Sequence, residues 1–373
     1  MNRIFIIFSF LLIFVVGSAF YAEDEQDTLR AQYSKPVSQW PKPTIDSGVN
    51  WTEMSSLPAI DSNYFAKMEE PKVKLGQILF FDPLLSGSNQ ISCSSCHDPE
   101  ISWSDKRAVA LGNDHLQGNR NTPSLLNVAE RKTLFWDGRA ATLESQVDGP
   151  ITAHHEMNMK PQALPKKLGK IKGYRELFKK AYGQEKITYP QIVESIGEFE
   201  RTITSRRSRF DRFLDGETKV LDDQELHGLH LFRTKARCMN CHNGKYLTDE
   251  DFHNIGLTYY KRKYQDLGKH LITGKPEDVG RFRTPSLRDV MHTGPWMHNG
   301  MFDNITGVVN IYNSGMHMID PTEAQAKADP LFPKTDPLLK PLKLTTGEIK
   351  AVVAFMNAIT ATQYHMRRPE LPR

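Results

Sequence analysis

The stretch ISCSSCHDPEISWSD, residues 91–105, sets Cys93 and Cys96 three apart with His97 immediately after the second. Three chemistries use such a pair: a redox disulfide, half of a zinc site, or the attachment of a haem. The pattern returns as Cys238-Met239-Asn240-Cys241-His242, and the two copies use all four cysteines of the chain. A thioredoxin-like pair wants a strand before it and a helix after it, with no reason for the histidine to follow twice. Structural zinc sites bring their ligand pairs closer in sequence than these, which stand 145 residues apart. The spacing CxxCH has its own physical reason. Two thiols three apart on a short helical turn reach the two vinyl groups of a haem as thioethers, and the next residue offers imidazole to the iron. The sequence therefore carries two covalently bound haem c groups, with His97 and His242 as proximal ligands.

Bulk composition agrees with a folded, water-facing body. Of 373 residues, 39% are hydrophobic and 25% charged, and the formal net charge is only +4. Charges are spread along the chain, so neither a nucleic-acid-binding face nor an acidic tail stands out. An acidic protein partner is tolerated but not demanded. The N-terminus is a compartment signal: Arg3, an apolar run from Ile4 to Val16, then Gly17 and Ala19 before the chain turns acidic at Glu23. We read residues 1–22 as a signal peptide cut near Ala19 or Ala22; the alternative is an uncleaved anchor. Both readings export the rest, to the periplasm.

The remaining chain reads as mostly α, with few or no strands. Helical patterns fall at residues 64–80, interrupted by Pro71, and at 123–131, 143–146, 161–168 and 173–182. Further ones fall at 190–205, 208–214, 222–233, 306–312 and 345–362, the last with Thr345 or Thr346 as N-cap. A Pro- and Ser-containing stretch over residues 34–62 reads as coil that wraps the body. The halves repeat: Arg120-Asn121-Thr122-Pro123 against Phe282-Arg283-Thr284-Pro285, and Phe135-Trp136-Asp137-Gly138 against Trp296-Met297-His298-Asn299-Gly300. Each pair follows a CxxCH, as one plan used twice. This gives two cytochrome c-type haem domains packed together, residues 23–215 and 216–373, with the terminal helix a candidate to pack back on the first.

Function turns on the distal faces. An iron capped by protein on both sides transfers electrons; one with an open position can bind peroxide. For the second haem, Met316 and Met318 are thioether candidates and Tyr312 a phenolate candidate, and composition alone favours methionine. For the first, His115 is the strong ligand near Asn113. Glu156, beside His154 and His155, could move a proton from the inner to the outer oxygen of bound peroxide, a role worth about 10² to 10⁴ in rate. Its bland alternative is a solvated carboxylate. Trp136 is either a relay for electrons or a core filler.

Together these motifs resemble the bacterial dihaem cytochrome c peroxidase family, which includes the MauG-like enzymes. The resemblance spans roughly residues 73–362. It rests on CxxCH with Asp98-Pro99, on the repeated segments above, on Glu156-Met157-Asn158, and on His298-Asn299-Gly300. It implies hydrogen peroxide reduction at the haem on His97, with Glu156 as the distal catalytic group and Trp136 lying between the haems. It implies electron storage at the haem on His242, and a small periplasmic cytochrome c or cupredoxin as donor. It also implies a calcium ion between the domains, held by the Asn121 side chain and the Thr293 and Pro295 carbonyls, since oxygen ligands suit calcium. Related enzymes often form homodimers, so the resemblance also implies a homodimer.

Two departures matter. At the position of the family's distal histidine this chain has Asn113, with His115 two residues away. At the position of the second haem's methionine it has Tyr312, as in MauG, which displaces the preference for methionine. Both make the first haem an open site without reductive priming. Two other functions compete with peroxide reduction: a MauG-like high-valent haem oxidase acting on a protein substrate, and a non-catalytic dihaem electron carrier.

Overall fold

A computed structural model describes residues 28–363 and 365–372. The leader, with its cleavage positions, lies outside them. No helix among the described residues is long and apolar enough to cross a membrane.

In the first half, α1 (Ser62–Met68) starts on Asp61, whose side chain accepts from the amides of Asn63 and Tyr64. α2 (Pro71–Phe81) follows at once. Pro71, which interrupts the apolar periodicity, is the first residue of that new helix, where its missing N–H costs nothing. Next come α3 (Leu143–Thr152), α4 (Leu164–Gly169), α5 (Lys172–Tyr182) and α6 (Tyr189–Glu200). The second half has α7 (Arg209–Leu214), α8 (Asp223–Arg233), α9 (His270–Thr273), α10 (Ile305–Asn313), α11 (Glu323–Ala328) and α12 (Thr346–Ala358). α8 and α12 each begin with a capping box, Asp222 with Glu225 and Thr345 with Glu348. One short antiparallel pair, β1 (Phe252–His253) with β2 (Phe282–Arg283), sets Phe252 opposite Arg283.

Three expected helices are shorter than their patterns, the terminal one over 345–362 ending at Ala358. Over 123–131 only Val128–Glu130 forms a 3-10 turn. Asn127 takes a left-handed φ of +55°, and its side chain exchanges hydrogen bonds with Ser205 at 2.8 and 3.0 Å. The 190–205 pattern stops at Glu200, because the Ile203 carbonyl accepts from the Asn127 amide instead of continuing a helix.

The same helix crossing is built twice. α2 meets α6 at Gly76, where an added Cβ would lie 1.8 Å from the Ser195 carbonyl oxygen. α8 meets α12 at Gly228, 1.9 Å from that of Ala351. Four residues after each glycine a phenylalanine closes the crossing edge to face: Phe80 on Phe199 at 5.3 Å, Phe232 on Phe355 at 5.2 Å.

Two cores result, and they do not follow a single cut between residues 215 and 216. The first gathers Val73, Phe80, Trp103, Ile151, Phe178 and Phe199. The second gathers Phe210, Phe232 and Phe355, and it also takes Tyr33 from a short N-terminal helix and Trp40 and Met54 from the coil that follows. The buried Arg233 clamps that coil through Glu53 and the Pro41 carbonyl. At the other end, α12 packs in the second core rather than back on the first domain. The tail beyond it returns instead: Met366 joins the first core, and Arg368 reaches Asp98 at 3.2 Å.

Candidate haem centres

Each CxxCH opens on a single 3-10 turn, Cys93–Ser95 and Cys238–Asn240. The turn lets the histidine amide donate back to the first cysteine's carbonyl, at 2.9 Å for His97 and 2.8 Å for His242. Each imidazole is then fixed by its Nδ1, which donates to a backbone carbonyl: Trp103 for His97 and Leu247 for His242, both at 3.1 Å. That tautomer leaves Nε2 with its lone pair, the arrangement a metal-bound histidine needs. Burial pushes both imidazoles down, His97 to about 4, so they are neutral. All four thiols are unpaired. Burial pushes them up, Cys96 and Cys238 to about 12, which suits neither a zinc thiolate site nor a redox pair. These residues fit a covalently held haem at each site.

The second site surrounds a mostly apolar cavity of about 240 Å³, walled by Cys238, Cys241, His242 and Tyr312 together with Trp136 and His298. Burial first, then the neighbouring Cys241 and Cys238, push the Tyr312 phenol up. Met316 is buried off this wall and Met318 is half exposed; neither lines the cavity. His253, also on the wall, is held between Asp336 (Nδ1, 2.6 Å) and Asp249 (Nε2, 2.9 Å). Burial opposes its charge, but the two carboxylates outweigh burial and push the imidazolium up to about 12.

At the first site, burial raises the Cys96 thiol most, followed by the charges of Asp105 and Glu156. Glu156 is therefore within electrostatic reach of the first CxxCH. It is half-buried, and burial lifts its carboxyl above the ordinary range, against the pull of His155 (3.6 Å) and Arg139. The loop carrying Asn113 is pinned to it: the Asn113 amide donates to the Glu156 carbonyl at 2.8 Å. Asn113 is buried and His115, on the outer side of that loop, is exposed.

Trp136 lines the second site's cavity. Its indole N–H donates to the Asn121 carbonyl at 2.9 Å, and its ring lies 6.5 Å from that of His298. Asn121, Thr293 and Pro295 line the same cavity. The Asn121 amide nitrogen donates to the Arg107 carbonyl at 2.9 Å, which turns Oδ1 the opposite way.

Comparison with known proteins now bears on the assignment. The profile of the di-haem cytochrome c peroxidase family matches residues 70–219. The methylamine utilization protein MauG of Methylorubrum extorquens is 35% identical over 304 residues, 81% of each chain. The cytochrome c551 peroxidase of Nitrosomonas europaea is 32% identical over 300 residues, 80% of this chain and 83% of the relative. The chain belongs to the di-haem cytochrome c peroxidase family.

Solved structures agree. A MauG-like protein associated with microbial copper homeostasis superposes with a TM-score of 0.71 at 30% identity, covering 84% of this chain and 95% of that one. The diheme peroxidase BthA from Burkholderia thailandensis gives 0.63 at 25% identity, covering 87% and 94%. This di-haem peroxidase is thus an oxidoreductase, and the two haem c groups of its family find two matched sites in its sequence.

Two neighbours of these sites had escaped the sequence reading. Glu200 closes α6 fully buried, and its charge is felt by the Cys93 thiol; a glutamate at a helix end reads as solvated, so no signal marked it. His253 stands four residues after Asp249, and that spacing was a usable signal.

Proposed function

We propose that this enzyme reduces hydrogen peroxide to two waters at the site on His97. Two electrons arrive singly from a small cytochrome c or copper protein and pass through the site on His242. The observation that carries this reading is Glu156, a half-buried carboxyl raised by burial beside Cys96. The bound haem supplies the iron at which the O–O bond is broken. The chain supplies the rest. Burial keeps His97 neutral, and the Trp103 carbonyl orients it. Glu156 takes the proton from the inner oxygen and returns it to the outer one, which leaves as water; its raised pKa brings donor and acceptor forms closer in energy near neutral pH. With Asn113 buried in the distal loop and His115 exposed on its outer side, the peroxide side carries no histidine cap in this reading. Trp136 is the route between the sites, and His242 and Tyr312 would both hold the second haem, whose iron would store the electron.

A calcium ion belongs to the same reading, supported by Asn121, Thr293 and Pro295 lining one cavity. Asn121 Oδ1 and the Thr293 and Pro295 carbonyls would hold it, where it would fix the spacing of the two sites. The leader, Arg3 to Ala22, supports export to the periplasm.

The test is Glu156→Gln. With two haems per chain retained, peroxide turnover should fall by about 10² to 10⁴. Full activity would remove Glu156 from the mechanism, and a diferric electron paramagnetic resonance spectrum without a high-spin signal would contradict an open first site. Tyr312 on the cavity wall favours a second reading, oxidation of a protein substrate as in MauG-like enzymes. Fast sustained turnover with reduced cytochrome c would exclude it.

A further inference from the structure

The chain that lines the second site runs straight out to the surface. His253 and Ile255 are on the cavity wall. The turn Tyr259-Tyr260-Lys261-Arg262-Lys263-Tyr264 follows, closed at its base where the Asp266 amide donates to the Thr258 carbonyl at 2.9 Å. That base is rigidly held. Asp266 accepts from Arg120 at 2.6 and 2.8 Å, and the same guanidinium reaches Asp137, the neighbour of Trp136, at 2.6 Å.

The tip is different. Tyr264 is 65% exposed, and Arg262 and Lys263 stand in solvent. Lys261 pairs with Asp329 at 2.7 Å. Arg262 and Lys263 lie over the rings of Tyr259 and Tyr264, each 5.2 Å from the ring centre. Among the described residues no ion pair neutralises either. The Tyr259 hydroxyl donates to Met301 Sδ at 2.8 Å. Met301 is 48% exposed and stands three residues after His298, which lines the second cavity and meets Trp136. An exposed, aromatic, cationic patch is thus joined by one contact and a short run of backbone to the wall of the second site. Unneutralised cations on a small apolar centre suit brief docking of a negatively charged protein, because steering comes from charge and release stays fast.

From this placement we infer that the turn Tyr259–Tyr264, with Met301, is the docking surface for an acidic electron-donor protein, a small cytochrome c or cupredoxin of net negative charge. The inference rests on the donor reading above and sharpens it to one surface and one sign of charge.

The test measures electron entry alone, by stopped flow on the oxidised holoenzyme without peroxide. Reduction of haem is followed with two probes: a reduced, net-negative cytochrome c, and neutral hydroxymethylferrocene. The cytochrome rate should fall as ionic strength rises. In R262E/K263E it should drop by about tenfold or more, with its salt dependence reversed, while the hydroxymethylferrocene rate is unchanged. If the variant loses both rates, the milder R262Q/K263Q takes its place, and it must lose the cytochrome rate selectively. An unchanged cytochrome rate and salt slope overturns the inference, including the case where the variant alters only self-association in sedimentation. Absence of peroxide turnover would be a separate failure, that of the peroxidase reading, and leaves this measurement intact.

Discussion

The indole of Trp136 meets the imidazole of His298 edge to face, with ring centres 6.5 Å apart, and the two residues occupy the same place in the two repeats. Around them, Leu134 bridges Ala140 and Trp296 bridges Phe302. Phe135 and Met297, one residue earlier in each copy, share a left-handed backbone, φ +67° and +72°. The copies also exchange backbone hydrogen bonds: the Asn121 amide donates to the His298 carbonyl at 2.7 Å, and the Arg283 amide to the Trp136 carbonyl at 2.9 Å. The two repeat copies therefore pack directly on one another, with a tryptophan from one and a histidine from the other meeting on the wall of the second cavity.

Trp136→Phe keeps an aromatic ring there but leaves the Asn121 carbonyl without the indole N–H. The hydrogen bond should be worth about 0.5–1.5 kcal/mol, read as a small loss in denaturant stability. Both haems should remain attached, and passage of electrons from the second site to the first should slow. An unaltered inter-haem rate in rapid-mixing spectra would reduce Trp136 to a core filler.

Gly76→Ala and Gly228→Ala test the duplicated crossing. On an exposed helix either change would stabilise by about 1 kcal/mol. Here the new methyl would lie under 2 Å from a carbonyl oxygen of the facing helix, so the helices must part, at a cost of about 1–3 kcal/mol or more. Chemical denaturation gives the sign directly. Stabilisation by either substitution would mean that the helices do not meet there.

That crossing also shows what was legible. Gly76-Gln77-Ile78-Leu79-Phe80 and Gly228-Leu229-His230-Leu231-Phe232 share a G-x-x-L-F pattern ahead of each CxxCH, yet the loop repeats after the haem motifs were easier to see. Local rules carried well. The N-caps at Asp222 and Thr345 and the proline start of α2 stand where residue chemistry puts them. What failed was long-range. Nothing local says that Asn127 bonds Ser205, or that Tyr33 and Trp40 fill the second core while Met366 fills the first. At the sites, the haem-binding motifs were readable from spacing, whereas residue chemistry alone favoured methionine for the second haem and only the family resemblance brought Tyr312 forward; the cavity wall carries Tyr312 and not Met316.

Tyr312→Phe should change the ferric spectrum and the potential of one haem and leave the other untouched, because Tyr312 lines the cavity of Cys238, Cys241 and His242. Met316→Leu should change neither, and its cost should stay below about 1.5 kcal/mol, the usual range for an isosteric apolar swap. Electron paramagnetic resonance of the diferric protein separates the cases. A Met316→Leu protein with an altered second haem would reverse the assignment.

Glu200 gives a prediction with a defined pH window. It ends α6 at 4% exposure, and its Oε2 has no hydrogen-bond partner among the described residues. Burial pushes its carboxyl from 4.5 up to about 8; Arg201 pulls the other way and Glu144 adds to the rise. Over that interval the native chain holds a proton that the unfolded chain has released. The contribution to stability is therefore full below about pH 4.5, is lost as pH rises toward about 8, and stays lost above it. Each pH unit inside the window is worth at most about 1.4 kcal/mol. Glu200→Gln keeps the shape of the protonated acid and titrates nowhere. Thermal unfolding of the two holoproteins should give curves of stability against pH that differ in slope within the window and run parallel outside it. Parallel curves throughout would mean that the Glu200 carboxyl titrates in the folded protein as it does in the unfolded chain.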